Sequence, residues 1–459
     1  MGYLVLLGLV FAYAVYLDGG ATRWSWELCL PVIGLTGLIY WLRTRRTELA
    51  PPLEGWLLRA ALLLPAYAAV QAIPLPLPVL QILSPARAEL QVALSKAGAA
   101  GDFASLSVVP PVTLRHGVTL AGLLVVLLLV RELAWRWPER RWTLASPFVF
   151  VAALEAALGI AQAAEGDGAH GTYVNHNHFA GLLEMALPFA VVYAVVMTRR
   201  VLRSEKNEVC ARRLRPVVKP VVGACVALSA AVLIVAGVVA SQSRMGFVSA
   251  LTGLAAAMVL LTIWCKQSTN HRRNALAVAL AVALAGAGLA LLPSEALVTR
   301  FGHLAQQDLS TDTRTKIWNE TLALIAAYPV FGCGFGGYES AFLKFKSAAP
   351  MYTVDYAHND YLQGVAELGV AGFLLAACFL VAVVRTLLRG RLSSDREERC
   401  FIIACLGAMT AILLHSITDF NLYMPANAML LAWICGAGLG SLRYSPGGAA
   451  RIVDVAPAR

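Results

Sequence analysis

Long apolar stretches alternate with short polar segments along the whole chain, and they set the predicted elements. About 18 consecutive apolar residues can cross a lipid bilayer as one helix. The predicted spans are residues 2–17, 26–42, 56–73, 116–131, 144–163, 178–197, 219–239, 245–264, 274–292, 359–384, 400–415 and 424–442. The pattern predicts an all-α polytopic membrane protein with about 12 transmembrane helices, in which residues 1–459 form a single integral membrane domain.

The composition agrees with this prediction. Of the 459 residues, 59% are hydrophobic and only 14% are charged, and the mean hydropathy is +0.68. These values are too apolar for a soluble domain of this length. The formal net charge is +10. Because the excess cations lie in short predicted loops, we expect anionic membrane lipids as their partners and no nucleic acid.

The positive charges also predict the orientation, since cytoplasmic loops retain lysine and arginine. With the N-terminus inside, 26 of the 37 lysines and arginines lie in cytoplasmic segments and ten lie in outer loops. Both termini are therefore expected in the cytoplasm. The first span is interpreted as a retained helix, because it lacks a basic leader and a clear cleavage site.

Two predicted outer loops are long, residues 74–115 and 293–358. The first opens with "IPLPLPVLQILSPARAEL", whose prolines predict a rigid, non-helical turn that returns along the surface. The second is the candidate catalytic loop. Its stretch "STDTRTKIWNETLALIAAYPVFGCGFGGYESAFLKF" predicts a short helix capped by Ser310 or Asp312 and ended before Pro329. The following glycines favour a turn over a phosphate loop, because no strand precedes them.

Two arginines occupy fixed positions in these outer segments. Arg314 lies in the first turn of the predicted loop helix, where free amide groups and the helix dipole already favour an anion. Arg244, within "VVASQSRMGFVSALTGL", lies between two spans joined by almost no loop. Each could simply face water or lipid headgroups. Together they suit a diphosphate, which needs two or three neutralising donors.

A polar cluster begins the predicted span in "YTVDYAHNDYLQGVAELGVAGFLL". Its His358 stands at the level of the lipid headgroups, one turn from Asp355. A histidine has an ordinary pKa of about 6.5 and can take a proton near neutral pH. We therefore interpret His358 as a candidate general base that activates a sugar hydroxyl, while the two arginines neutralise a departing diphosphate.

A third polar cluster, "GAHGTYVNHNHFAGLLEMALPFA", also precedes a span. Asn175 and Asn177 could cap the helix, and the imidazoles could simply face the interface. A metal site built from His176 and His178 would need a third ligand, which the sequence does not place.

Two further groups of polar residues lie in the predicted outer segments. Glu165 and Asp167 form an acidic pair in a predicted glycine-rich loop, and a divalent ion is one ligand that such a pair could hold. In "HSITDFNLYMPANAML", His415, Asp419 and Asn421 lie at another outer helix end, where Asp419 could accept a hydrogen bond from an arginine.

The order of these motifs carries a family resemblance. "NHNHFA" before a span, "SR" after one, "TRTKIW", "YPVFGCGFGGY", "AHNDYLQGVAELGVAGF" and "HSITDFNLYMPAN" together resemble the O-antigen ligase and polymerase superfamily over roughly residues 150–440. The resemblance implies a metal-independent, inverting membrane glycosyltransferase without a cofactor. Such an enzyme moves a glycan from undecaprenyl diphosphate to an acceptor hydroxyl on the outer face of the bacterial inner membrane.

The resemblance also implies residue roles. The family's diphosphate-binding arginines fall on Arg244 and Arg314, and its essential histidine falls on His358, so these three are the predicted catalytic residues. The predicted substrate-binding residues are Asn175, His176, Asn177, Asn359, Asp360, Tyr361 and Asp419. The resemblance leaves the acceptor open among lipid A core, a second lipid-linked oligosaccharide and a protein hydroxyl. The choice between ligase and polymerase stays open as well.

A transporter of an anion or a lipid-linked sugar is the alternative. Transporters bind substrate near the bilayer midplane, commonly at broken helices in repeated halves. The sequence shows no convincing internal repeat, and the polar residues collect at one predicted face. Four charged residues fall inside predicted spans and are interpreted as structural ties: Arg59, Glu155, Glu184 and Glu367.

Overall fold

The computed structural model describes residues 1–44, 54–98, 101–207, 215–265, 311–347 and 353–442. The first half contains α1 (Gly2–Tyr16), α2 (Arg23–Thr44), α3 (Gly55–Ala72), β1 (Pro74–Pro76), α4 (Leu77–Leu83), α5 (Pro85–Lys96), β2 (Phe103–Ser105), α6 (Pro110–Arg136) and α7 (Arg141–Glu165). The second half contains α8 (His176–Asn207), α9 (Arg215–Ala240), α10 (Arg244–Trp264), α11 (Thr311–Ala327), α12 (Tyr338–Phe342), α13 (Asp360–Leu388), α14 (Arg396–His415) and α15 (Pro425–Ser441).

The described part of the chain has 9 helices that are long and apolar enough to cross a membrane. The shorter helices α1 and α15 coincide with two further predicted spans. The predicted span at 274–292 lies outside the described residues. The prediction of an all-α polytopic membrane protein is confirmed, whereas the count of 12 is not.

Helix α8 forms the centre of the bundle and is almost entirely buried. It packs against α7, α9, α10 and α14 because apolar side chains surround its whole circumference. Small residues allow the closest crossings. A Cβ on Gly253 of α10 would lie 2.5 Å from the carbonyl oxygen of Gly407 in α14, so these two helices touch through their backbones.

The first long loop differs from its prediction. Instead of a non-helical turn, it contains α4 and α5 between two short antiparallel strands, with Pro74 opposite Ser105. The prolines do not prevent these helices, because proline in the first helical turn sacrifices no hydrogen bond. Both helices carry proline at one of their first two positions.

Helix α13 is broken at Gly369, whose φ of 62° and ψ of −179° are not helical. The loop of residues 329–337, which holds the predicted glycine turn, lies against this break. The Cys333 N–H donates to the Ala366 carbonyl at 2.9 Å, and the Val370 N–H donates to the Pro329 carbonyl at 2.9 Å. The loop thus pairs with backbone groups that the break releases.

The candidate residues lie at the opposite end of the bundle from the described basic segments around residues 136–141 and 389–399. We name the site end as the end where α8, α10 and α13 begin and α14 finishes. At the opposite end, Arg141 binds Asp395 at 2.6 Å, and Arg200 donates from Nε to Glu397 at 3.0 Å. Which end faces the cytoplasm stays a prediction.

Candidate active site

A buried carboxylate at the site end lies between two histidines. Nδ1 of His358 is 3.5 Å from Oδ1 of Asp419, and Nε2 of His178 is 3.6 Å from the same oxygen. We call these three residues the His–Asp–His cluster. The Asp419 side chain is 1% exposed, whereas that of His358 is 19% exposed. A ligand can therefore reach His358 but not the carboxylate behind it.

The backbone around His358 is fixed by the start of α13. Asn359 caps this helix, because its Oδ1 accepts the N–H groups of Tyr361 and Leu362, both at 3.0 Å. The Asp360 N–H donates to the Ser416 carbonyl at 2.9 Å. His358 itself has a φ of 49°, a left-handed conformation that is strained for a residue other than glycine. The neighbouring contacts hold the imidazole in place despite this strain.

The electrostatics of Asp419 result from two opposing effects. Burial by itself would raise the pKa of its carboxyl group, but hydrogen bonding and charge from His178 and His358 outweigh burial and hold the pKa well below its usual range. Its Oδ1 also accepts the Phe420 N–H at 2.9 Å. Asp419 is therefore a carboxylate at neutral pH, able to orient either imidazole.

Arg314 lies beside this cluster. It occupies the first turn of α11, as predicted, and its Nη1 is 3.5 Å from the Thr418 carbonyl oxygen, next to Asp419 in the chain. Helix α11 ends at Ala327, before Pro329, which also agrees with the prediction. Of the two predicted caps of this helix, Asp312 lies inside it and is not its cap, and Ser310 lies outside the described residues.

Arg244 is the first residue of α10 and is exposed. Ser243 caps this helix, because its Oγ accepts the Gly246 N–H at 3.0 Å. A Cβ on Gly246 would lie 2.5 Å from the Cβ of Ala180, so the first turn of α10 packs on α8 two residues after His178. Arg244 therefore lies at the same end of the bundle as the cluster.

Asn175, which precedes α8, has the capping role that the sequence left open, whereas Asn177 lies inside the first turn of α8 and is not its cap. The Asn175 Oδ1 accepts the Asn177 N–H at 2.8 Å, and the Asn175 carbonyl accepts the His178 N–H at 3.1 Å. Asn175 thus caps α8 and sets the direction of His178. His176 is partly exposed and Asn177 is buried. Substrate binding by these three predicted residues stays a prediction.

Two other predicted substrate-binding residues contact the protein itself. The buried Asp360 accepts the Leu422 N–H through Oδ2 at 3.1 Å. The Tyr361 hydroxyl donates to the Leu413 carbonyl at 2.6 Å. These bonds join the start of α13 to the segment around the end of α14, and they fix His358 relative to Asp419. Contact of Asn359, Asp360 or Tyr361 with substrate stays a prediction.

His178 is not among the site residues predicted from the sequence, where it enters only as half of a possible metal pair with His176. Its role depends on Asp419, a residue far away in the chain, so only the fold reveals the pairing. The one local signal was the position of His178 at the start of a buried helix, where an imidazole needs a partner. Its carbonyl oxygen is also bound, by the Asn427 side chain at 2.9 Å.

The charged residues inside the predicted spans have different surroundings. The buried Glu184 pairs with His415 at 3.0 Å, and Glu155 accepts the Thr172 N–H at 2.8 Å. Glu367 lies beside the break in α13, where its Oε2 accepts the Gly336 N–H at 2.7 Å. The interpretation as structural ties fits these three glutamates. It does not fit Arg59, which is exposed and donates to the carbonyl of its own helix at 3.0 Å.

The comparison with protein families agrees with the motif resemblance. Residues 229–377 match the family model described as O-Antigen ligase. The matched segment contains Arg244, Arg314 and His358, but it begins after His178 and ends before Asp419. The match confirms the resemblance to the O-antigen ligase and polymerase family that the motifs indicate. No curated protein matches the chain.

Proposed function

We propose that this chain, part of which matches the O-Antigen ligase family, transfers a glycan from undecaprenyl diphosphate to an acceptor hydroxyl. The site end then faces the outside of the bacterial inner membrane. The observation that carries this proposal is the His–Asp–His cluster, because it presents one reachable imidazole supported by one buried carboxylate. The family match itself supports glycan transfer in polysaccharide assembly by an enzyme of the glycosyltransferase type.

Asp419 sets the tautomer of His358 in this mechanism. We assign a proton to Nδ1 of His358, which then donates toward the carboxylate oxygen 3.5 Å away. The second ring nitrogen, Nε2, is left without a proton and can act as the base. Asp419 also stabilises the imidazolium that forms when Nε2 takes up a proton, which is the general role of a carboxylate behind a catalytic histidine.

The transfer step is a single displacement. As His358 takes the proton of the acceptor hydroxyl, the acceptor oxygen attacks the anomeric carbon of the donor glycan. The bond between that carbon and the diphosphate oxygen breaks, and its electron pair leaves with undecaprenyl diphosphate. Because attack and departure occur on opposite faces of the sugar, the anomeric configuration is inverted.

The arginines stabilise the departing diphosphate. Arg314 adds a guanidinium to the N-terminal turn of α11, where helix amides and dipole already favour an anion. Arg244 has the same relation to α10. A guanidinium can bind two phosphate oxygens at once, so these two side chains can neutralise the charge that develops as the bond breaks. No cofactor enters this step.

Transport is the second candidate function, and one observation favours it. Transporters commonly bind substrate at broken membrane helices, and α13 is broken at Gly369. In this chain, however, the loop of residues 329–337 fills the break and bonds its backbone groups, as between Gly334 N–H and the Glu367 carbonyl at 3.0 Å. The backbone groups at the break are thus already hydrogen-bonded, and fewer of them can bind a substrate there than at the cluster.

A reconstituted transfer reaction tests the proposal. Purified protein in detergent is incubated with an undecaprenyl-diphosphate-linked glycan and with either lipid A core or a second lipid-linked glycan as acceptor. We expect release of undecaprenyl diphosphate and an inverted glycosidic bond, and loss of both in the His358→Asn variant. Asparagine can bond to an acceptor hydroxyl but cannot take its proton. Equal turnover by wild type and His358→Asn would contradict the base assignment.

The same reaction separates the acceptor classes. Transfer to lipid A core alone would identify a ligase, and extension of the second lipid-linked glycan alone would identify a polymerase. Movement of intact donor across vesicles without any transfer would instead support the transporter.

A further inference from the structure

A row of aromatic rings extends from the candidate base across the site end. The Phe420 ring lies 4.9 Å from the His358 ring and 4.0 Å from the Tyr356 ring, with which it is stacked. Tyr356 is 5.9 Å from Tyr423, and Tyr423 is 6.4 Å from Phe335. The last step, from Phe335 to His116, is 5.2 Å. We call Phe420, Tyr356, Tyr423, Phe335 and His116 the aromatic row.

Four separate parts of the chain build this row: α6, the loop of residues 329–337, the segment before α13 and the segment after α14. Glu367 holds two of them together, because its Oε2 accepts both the Tyr423 hydroxyl and the Gly336 N–H, each at 2.7 Å. A Cβ on Gly336, whose φ is +75°, would lie 2.3 Å from Nδ1 of His116. Only glycine allows the loop to approach α6 this closely.

The row is not simply part of the hydrophobic core. Tyr356, Tyr423, Phe335 and His116 are all partly exposed, and only Phe420 is buried. A core would normally enclose four adjacent rings, since each has a large apolar surface to remove from water. Partly exposed aromatic residues that continue from a reachable base instead form one wall of a binding surface.

The Tyr356 hydroxyl group adds a polar contact to this wall. The neighbouring Tyr423 and Tyr361 hydroxyls donate to protein oxygens at 2.7 Å and 2.6 Å. Within the described residues, the Tyr356 hydroxyl makes no hydrogen bond. Burial, followed by the negative charges of Glu367 and Asp355, raises the pKa of Tyr356 to about 12. The phenol therefore keeps its proton at neutral pH and can donate it to a ligand oxygen.

We propose that the aromatic row binds the sugar rings of the acceptor glycan. This inference rests on the proposed function. A pyranose has an apolar face of C–H groups that packs on an aromatic ring and a rim of hydroxyls that accept and donate hydrogen bonds, which matches a row of rings with one free phenol. The assignment to the acceptor follows from position. The row adjoins His358, which deprotonates the acceptor in the proposed mechanism. Arg314, which would bind the diphosphate of the donor, lies instead beside the Thr418 carbonyl.

Binding of soluble oligosaccharides tests this inference without any transfer reaction. The probes are the oligosaccharide released by mild acid from the host's lipid-linked glycan and the core oligosaccharide of its lipopolysaccharide. Saturation-transfer NMR and calorimetry on the detergent-solubilised full chain give contact and affinity. The variants are Tyr356→Ala, Tyr356→Phe and Phe335→Leu, the last of which keeps apolar volume but removes the ring. Phe103→Leu on β2, at an exposed phenylalanine outside the row, is the matched control.

We expect wild type and Phe103→Leu to bind at least one probe equally. Phe335→Leu and Tyr356→Ala should weaken binding roughly tenfold, since each loses one stacking ring. Tyr356→Phe should weaken binding less, by the loss of one hydrogen bond. In the transfer reaction, the same variants should raise the acceptor KM and leave the donor KM unchanged.

Three results would overturn the assignment: no probe binds wild type, the row variants bind as tightly as wild type, or the variants raise the donor KM instead. Failure of the proposed function gives a different result. If oligosaccharide binding depends on the row but no glycan is transferred, the binding surface stands and the transferase proposal fails.

Discussion

Oδ1 of Asp419 lies 3.5 Å from Nδ1 of His358, and the Asp419 side chain is only 1% exposed. In the proposed mechanism this relationship makes Asp419 a positioning residue, rather than the substrate-binding residue predicted from the sequence. We expect Asp419→Asn to lower kcat by about 10² to 10⁴-fold, because an amide no longer fixes the tautomer or stabilises the imidazolium. The donor KM should change little, since the donor contacts the arginines.

The control for this prediction is Asp355→Asn. Asp355 is close to His358 in the chain but exposed, so its loss should leave kcat within about threefold of wild type, as a surface charge contributes little. A parallel loss in both variants, or normal kcat in Asp419→Asn, would contradict the assignment.

The arginines should not tolerate lysine. If Arg244 and Arg314 bind diphosphate oxygens in pairs, Arg244→Lys and Arg314→Lys should lose most activity although the charge is kept, because an ammonium cannot form the paired contact. Lys316→Ala, on the exposed face of the same helix α11, removes a charge without this geometry and should remain active. If both lysine variants kept near-normal turnover, Arg244 and Arg314 would be ordinary interfacial arginines without a specific role in binding diphosphate.

The sequence predicted the elements well because membrane spans depend on local composition. It also predicted α11 and its end before Pro329, since a proline is a local signal. The helices α4 and α5 were missed because proline was read as a helix breaker, although it is compatible with a first turn. The break in α13 was missed because the apolar pattern of the predicted span continues through Gly369 without interruption.

The site was only partly predictable. Arg314 and His358 stood out because a charged residue at a helix start near lipid needs an explanation. The pairing of His178 with Asp419, and the convergence of Phe335 and Tyr356, depend on contacts between segments far apart in the chain. Periodicity and charge do not encode such contacts, so only the fold supplies them.

Membrane topology can be tested by cysteine labelling in a cysteine-free background. The unequal division of lysine and arginine predicts that Asp167→Cys and Phe345→Cys react with an impermeant maleimide added outside intact cells. Asn207→Cys should react only after the membrane is opened. The reverse pattern would place the His–Asp–His cluster in the cytoplasm, where the proposed donor is not presented, and would remove the basis of the functional proposal.

Metal removal gives a further test. The proposed step uses two guanidinium groups to neutralise the diphosphate, so transfer should continue after exhaustive treatment with a chelator. Loss of activity that returns with magnesium or manganese would contradict this prediction. The first variants to examine would then be Glu165→Gln and Asp167→Asn, because these two exposed carboxylates lie at the last residue of α7 and just after it.

The last prediction separates the chemical role of His358 from its structural role. Its φ of 49° is easy for glycine but strained for alanine. His358→Gly and His358→Ala both remove the base, so both should abolish transfer while the protein still binds donor through its arginines. Relieving the strain should make the glycine variant more stable than the alanine variant by roughly 1 kcal/mol, measured by denaturation in detergent.

This pair of variants is informative because a capping or headgroup-facing residue would behave differently. If His358 had only a structural role, the better-folded His358→Gly would recover transfer relative to His358→Ala. Equal inactivity with unequal stability is the outcome that a base requires. Addition of free imidazole extends the test, since the space left by the side chain in His358→Gly can admit a small base. Imidazole should partly restore transfer in His358→Gly but not in Asp419→Asn. That result would place the missing proton acceptor at residue 358.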